Sequence, residues 1–391
     1  MNVIKVCKEY CVGCGLCRSE LGVKMMPNEK GFLQPEFQAD NKIKQFLENV
    51  CPVTDASKEE KCAVWGKIKG VYGAFAKDDA LRKKASSGGV LTALAIYLLE
   101  SGAVDGIIHV KADEKQPTQT VCRVSTTREE IEEGCGSRYA ISSPWLTLSE
   151  ITEPGKKYAA IGKPCDIKAL RRLKEARGDY SNIIYLLSFF CAGLPSKQAN
   201  ERLLQELGCA GEECKSLTYR GNGWPGYATA IDRRGKEYTM EYSKAWGGIL
   251  GRYVHPYCRV CFDGIGEAAD IACGDGWYIS EGQTPDFSER DGRNIVFVRS
   301  DLGEDLYQAA VNAGAVVSTE WENLSQLEII QKYQFTRRTS MRERLFAYRL
   351  FGRKVPLYDK KKMTMLSRKG NTKGKVRVFL GTAKRILLKK I

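Results

Sequence analysis

Uninterrupted apolar sequence is scarce in this chain of 391 residues, and histidine is scarcer still, with two residues. The longest apolar runs, VLTALAIYLL and NIIYLLSFF, fall well short of the roughly 20 residues that a membrane-spanning helix needs. The opening MNVIKVCKEYC contains neither an apolar leader core nor a small-residue cleavage site, so a cytoplasmic location is expected. No internal repeat is present, which argues against a solenoid or array, and no low-complexity tract precedes the C-terminal region. Acidic residues are missing from one place in particular. From Thr336 onward there are 19 Lys or Arg and only 2 acidic residues, Glu343 and Asp359, so the formal charge of +14 resides in this stretch and the remainder is close to neutral.

Cysteine is what the chain has in abundance. Fifteen in a protein of this size point to metal or redox chemistry in reducing surroundings rather than to disulfides. The segment CVGCGLCRSELGV spaces Cys11, Cys14 and Cys17 as the bacterial ferredoxin run C-x2-C-x2-C-x3-C-P does, but Leu21 and Gly22 stand where the fourth cysteine and its proline belong. In a two-cluster ferredoxin that fourth cysteine serves the other cluster. The last piece of a second run survives in LENVCPV, where Cys51 precedes Pro52. A chain that kept one of two ancestral clusters would lose three cysteines from one run and the last from the other. Cys11, Cys14, Cys17 and Cys51 are therefore the expected ligands of one [4Fe-4S] cluster, with a structural zinc site as the alternative. Cys7 and Cys62 flank the region as spare ligands or, more simply, as small buried residues.

Beyond Cys62 strands and helices alternate, as in an α/β domain. VYGAFA, VDGIIHVKA, KYAAIG, NIIYLLSFFC, NIVFVRS and AVVSTE read as strands; GGVLTALAIYLLESG, DIKALRRLKEA, SKQANERLLQELG and LGEDLYQAAVNAG read as helices. ASSGGV places Ser86 and Ser87 at a helix N-cap, where Gly88 and Gly89 either let backbone N–H groups approach a phosphate or simply open a capped helix. Four further cysteines fall at strand ends or in one turn: Cys165 in AAIGKPC, Cys191 in LLSFFC, and Cys258 and Cys261 in HPYCRVCF. Ligands of open α/β sheets gather beyond the carboxyl ends of the strands, so these four are either a second cluster set or buried structural residues. Cys122, Cys135, Cys209, Cys214 and Cys273 show no usable spacing, and Cys209 and Cys214 are expected in an exposed loop. His109 is expected to pack within a strand. His255 lies beside the second cysteine set, where it packs against the loop or serves as a ligand or proton donor.

Through CVGCGLC, ASSGGVLTALAIYLLESGAVDGII, GSRYAIS, IGKPCDIKALR, FFCAGLPS, YRGNGWPG, CRVCFD and ADIACGDGW, between about Cys11 and Trp277, the chain resembles the coenzyme F420 hydrogenase/dehydrogenase β-subunit family, which also includes chlorophyll-pathway reductases. The resemblance implies a flavin enzyme that passes electrons between [4Fe-4S] clusters and FAD, with Cys165, Cys191, Cys258 and Cys261 as the second cluster set. Candidate flavin contacts are then Ser87, Gly88 and Gly89, the residues Gly136, Ser137, Arg138 and Tyr139 of GSRY, and Asp275 of GDGW. Each has a structural alternative, Gly136 as a turn residue and Arg138 in a surface ion pair. Lys163 and Ala192 stand where relatives often carry threonine and histidine.

The expected architecture is α/β, α+β overall: a ferredoxin-like [4Fe-4S] segment at 1–62, a mixed α/β flavin and cluster domain at 63–335 with parts at about 70–150 and 155–320, and a basic tail at 336–391. Expected partners are a redox protein or reduced ferredoxin and an organic substrate or deazaflavin-type coenzyme. Two rivals come from other classes. One is an electron-transfer subunit that catalyses nothing alone; the other is nucleic-acid binding through the tail, for which the body offers no base-reading module. Within the tail, Val376, Phe379, Leu380, Ala383 and Leu387 fall at helical spacing with Lys375, Arg377, Lys384, Lys389 and Lys390 beside them, as in a surface helix on an anionic membrane at the inner face or a solvated, disordered tail.

Overall fold

An eight-stranded sheet organises the body, in the order Val316–Glu320, Gly70–Ala76, Asn294–Val298, Ile271–Asp275, Ile183–Phe189, Tyr158–Gly162, Gly106–Ala112 and Thr120–Ser125. The computed structural model describes residues 3–38, 40–54, 64–321, 323–356 and 358–388; Cys62 and the expected boundary beside it lie outside the described residues. The four strands from Ile271–Asp275 to Gly106–Ala112 run parallel, and antiparallel strands close both flanks. Alternation along the strands feeds two cores. Ile107, Ala159 and Leu187 meet the helices Val90–Glu100 and Asp301–Asn312 on one face, while Ile108, Ala160 and Leu186 meet the helix Pro164–Arg177 on the other. Each large aliphatic side chain so buried contributes about 1.5–3 kcal/mol.

A second sheet was not expected. Cys214–Thr218, Tyr227–Asp232 and Glu237–Glu241 form an antiparallel meander that packs on the helix Lys197–Leu207. Cys209 and Cys214 lie buried in its core rather than in an exposed loop, because Leu203, Leu204 and Leu217 close over them.

The two ends of the chain are not appendages. The N-terminal segment consists of the helices Val3–Glu9, Leu16–Leu21 and Asn41–Val50 and a short hairpin of Met25–Pro27 with Leu33–Pro35. Val3, Val6 and Cys7 share one hydrophobic core with Trp65, Tyr257 and Phe297 of the body and with Met341, Leu345, Tyr348, Met363 and Ile386. The region expected as a tail is thus corrected: it consists of the helices Lys332–Thr339, Met341–Leu350, Lys360–Lys369 and Thr372–Leu387, and the expected boundary at 336 falls inside the first of them. Some of its cations are interior. Arg338 is fully buried and pairs with Glu267 at 2.6 Å, and Lys362 approaches the same carboxylate at 3.5 Å. Among the described residues no helix is long and apolar enough to cross a membrane.

Candidate functional site

The N-terminal cysteines converge from three short elements. Cys11 and Cys14 lie on the loop after Val3–Glu9, Cys17 sits in the first turn of Leu16–Leu21, and Cys51 follows Asn41–Val50 directly. Their thiols act on one another. Burial first, then the neighbouring Cys51, pushes Cys11 up to about 12, and Cys17 is raised by burial and by Cys14, Cys51 and Cys11. Arg172, on Pro164–Arg177, donates to the carbonyls of Glu48, Asn49, Cys51 and Thr54 and so ties the end of the Asn41–Val50 helix to the body. Cys7 is a fifth sulfur in this group: it is buried and hydrogen-bonded to Cys51, whose thiol that bond lowers.

The second set surrounds a small cavity. Cys165 lies in the first turn of Pro164–Arg177, Cys191 just beyond Ile183–Phe189, and Cys258 and Cys261 on and after the short helix Pro256–Val260; all four line it. The Leu194 N–H donates to the Cys258 Sγ at 3.3 Å. Two buried cations face the same space. Lys163 Nζ lies 2.6 Å from both an Asp166 carboxylate oxygen and the Ser142 Oγ, and Arg337 donates to the carbonyls of Cys191 at 3.1 Å and Ala192 at 2.7 Å. Burial pushes Cys261 up to about 12 and Cys191 to about 11, with Arg337 opposing it in both. His255 ties the two sets together: its Nδ1 accepts from the Tyr257 N–H at 3.0 Å, its ring also bonds the Cys11 backbone, and burial holds it neutral, with its pKa down at about 4. Trp145 makes a second tie, its N–H donating to the Cys14 carbonyl and its indole N–H to that of Asp166.

Among the described residues no three His, Cys, Asp or Glu side chains close on a single ion. The described cysteines are all free of disulfides.

Next to the second set opens a cavity of about 1110 Å³. Of the eight candidate flavin contacts, Ser87, Gly89, Gly136, Ser137, Arg138, Tyr139 and Asp275 line it, and Gly88 does not. The helix start differs from expectation. Neither Ser86 nor Ser87 caps Val90–Glu100; Gly89, at φ 76°, holds the N-cap position, and Asn294 from a neighbouring strand accepts the Val90 N–H at 3.1 Å. The Ser86 hydroxyl instead donates to the Arg220 carbonyl and accepts from the Ser137 N–H, while Ser87 donates to the Arg293 carbonyl. Gly88 is required by protein and not by a ligand, since a Cβ there would lie 2.7 Å from the Asn294 nitrogen and 2.8 Å from the Ala74 carbonyl. Arg138 makes no surface ion pair; it donates to the carbonyls of Leu217 and Pro117 and lies over the Tyr219 ring.

Asp275 is held by Arg220 through two 2.9 Å hydrogen bonds and by the Trp224 indole at 3.1 Å. Arg220 itself escaped the sequence reading, although it heads the glycine-rich YRGNGWPG. Fully buried, it lies against the rings of Tyr242 and Trp277 at 4.4 and 5.1 Å, and both rings line the cavity. Lys163 and Arg337 were missed as well. The spaces adjoin: Lys163, Cys191, Gly193 and Leu194 line both cavities, and Val12, next to Cys11, lines the smaller one.

Residues 71–150 match the family model described as coenzyme F420 hydrogenase/dehydrogenase, beta subunit N-term, and residues 155–323 match its C-terminus counterpart. The coenzyme F420 hydrogenase subunit beta of Methanosarcina barkeri is 28% identical, over 68% of this chain and 87% of its own. The protein of the same name from Methanococcus voltae is 25% identical, over 75% and 99%. A coenzyme F420-dependent sulfite reductase of Methanocaldococcus jannaschii is 26% identical over 65% of this chain and 39% of that protein. In fold the chain is similar to a chain of the F420-reducing NiFe hydrogenase complex from Methanosarcina barkeri, with a TM-score of 0.60 at 24% identity, over 78% of this chain and all of that one.

Proposed function

The chain belongs to the coenzyme F420 hydrogenase/dehydrogenase β-subunit family, and on that premise we propose that it is an electron-transfer oxidoreductase subunit carrying two [4Fe-4S] clusters and FAD. Cys11, Cys14, Cys17 and Cys51 would hold one cluster, Cys165, Cys191, Cys258 and Cys261 the other, and the large cavity the flavin. Bound there, the clusters would supply single-electron steps and the flavin their conversion to two-electron chemistry. The observation that carries this reading is the shared wall: Lys163, Cys191, Gly193 and Leu194 line both cavities, so the second cysteine set and the larger space are neighbours, with Cys191 itself part of both linings.

The residues around these spaces have their own tasks. Arg337 would offset negative charge at the second set, where Lys163 is paired with Asp166; Arg138 presents a cation to the large cavity, where Arg220 is paired with Asp275, and the Trp277 and Tyr242 rings add aromatic wall. At about 1110 Å³ that cavity lies just above the roughly 300–1,000 Å³ of pockets for drug-sized ligands, as a large dinucleotide such as FAD would need. A deazaflavin-type coenzyme or another flat organic substrate would be the flavin's reaction partner. Relatives named as hydrogenase subunits favour a redox partner protein as the other terminus, with reduced ferredoxin as the simplest donor. Free cysteines throughout the described residues suit the cytoplasm.

Iron and flavin analysis of the anaerobically purified full chain tests the proposal. About eight irons and one FAD per chain are expected from two cubanes and one flavin. Four irons with flavin bound would remove the second cluster; eight irons without flavin would remove the flavin cavity.

A further inference from the structure

The C-terminal helices leave an apolar surface uncovered. On Thr372–Leu387 the buried residues are Thr382 and Ile386, whereas Val376, Leu380 and Leu387 are between 51% and 67% exposed, as are Phe346 and Leu350 on the Met341–Leu350 helix packed beside it. The Phe346 and Phe379 rings stack at 5.8 Å and join the two helices. Positions 376, 380 and 387 make one stripe of the helix, so the stripe that would ordinarily face a core faces outward. An apolar surface of this size on an otherwise polar region marks an interaction site.

Charge says what kind. Lys373, Arg377 and Lys384 are exposed on the same helix, and Arg349 and Arg353 are exposed at the end of its neighbour. The two acidic residues of the region are used internally, Glu343 accepting from the Ser367 hydroxyl and Asp359 from the Lys362 N–H. We propose that this face docks on an anionic membrane surface, the Val, Leu and Phe side chains entering the boundary between headgroups and acyl chains while the Lys and Arg side chains meet lipid phosphates. The apolar groups protrude from a helix pair and line neither cavity, a shape that a fluid lipid phase accommodates without a matching pocket.

Flotation of the full-length protein with vesicles tests this, using phosphatidylglycerol mixed with phosphatidylcholine against phosphatidylcholine alone. The wild type is expected to float with the mixed vesicles only and to come off in high salt. The double variant L380S/L387S is expected to stay at the bottom, and R377Q and K384Q each to bind about fivefold more weakly. All four sites are exposed, so the variants should melt at the wild-type temperature, and their iron content should not change. Absence of wild-type flotation, or equal flotation of wild type and L380S/L387S, overturns the proposal. So does a concentration-dependent dimer that L380S/L387S disperses while no lipid is bound, which would assign the face to a second copy of the chain.

Discussion

Lys163 and Arg337 both face the second cysteine set, yet their neighbours give them different roles. Lys163 is already balanced by Asp166 at 2.6 Å, whereas Arg337 spends its hydrogen bonds on neutral groups, the Cys191 and Ala192 carbonyls and the Tyr333 hydroxyl. Among the described residues Arg337 is therefore the cation at the site that no carboxylate engages directly, and it stands against the buried Asp263 on the same wall. Arg337→Gln should make a cluster held there harder to reduce, since the reduced state is the more negative; each tenfold loss in the reduction equilibrium is about 59 mV for one electron. A redox titration followed by electron paramagnetic resonance should show one signal moving and the N-terminal one staying. Equal movement of both would point to a general loosening instead. Lys163→Met would act on stability, because it leaves the buried Asp166 without its cation. His109 offers a test by pH. Burial brings its pKa from 6.5 down to about 4, and its Nε2 lies 2.7 Å from the Ser125 hydroxyl. The unfolded chain takes up the proton first, so this contribution is complete above pH 6.5 and is lost as pH falls from 6.5 to 4, by up to about 3 kcal/mol. His109→Gln should be less stable at neutral pH but should lose less on acidification, as read by urea unfolding across that window. Parallel profiles would show that another group titrates.

Among the elements, Lys332–Thr339 links the C-terminal helices to the body, and Glu267 is what it grips. Burial works to raise the Glu267 carboxyl, but Arg338, Lys362 and Arg299 outweigh it and hold it down at about 2. That stability is present above the ordinary carboxylate value and is lost as pH falls toward 2. Glu267→Gln removes the carboxylate that Arg338 and Lys362 share and should destabilise the fold. Urea unfolding measures the loss, and brief proteolysis should cut first within residues 332–388; unchanged cutting would show that apolar packing alone holds these helices. The same element shows where sequence reading stops. Arg337 and Arg338 read as tail cations because composition cannot distinguish a solvated arginine from a buried one whose partner lies far away in the chain. The capping of Val90–Glu100 is hidden in the same way, since Asn294 stands 204 positions away and the adjacent serines fit the local rule. Six of the eight strands of the large sheet and four helices packed in the body were legible because alternation and local apolar runs report burial directly; Thr120–Ser125 and the central Ile271–Asp275 were not read, and the antiparallel flanks and the second sheet depend on pairings that no local window contains.

In the whole molecule, the N-terminal cysteines expected from their spacing lie near one another, the four that the resemblance implies line one small cavity, and His255 and Trp145 lie between the two groups; that either group holds a cluster is the proposal. What spacing could not show is that both ends of the chain build the same core. Val6 and Cys7 pack in it with Met341, Leu345 and Leu366, all fully or almost fully buried. A chain ending at residue 335 would lose those three side chains together with Met363, Tyr348 and Ile386. Each large aliphatic removed from a core costs about 2–5 kcal/mol, against a total stability of about 5–15 kcal/mol. Such a truncation should therefore destroy the cooperative fold. It would also remove Arg337 from the wall of the second cysteine set and the Arg338 partner of Glu267. The expected outcome is a protein with a broad or absent thermal transition, weak near-ultraviolet circular dichroism, and iron at both sites below the full-length level. The N-terminal site should suffer although it lies at the opposite end of the sequence, because Cys7 shares the damaged core and touches Cys51. A truncated chain that melted in one sharp step at the full-length temperature, with full-length iron content, would show that the C-terminal helices are an appendage and that the body closes its core without them.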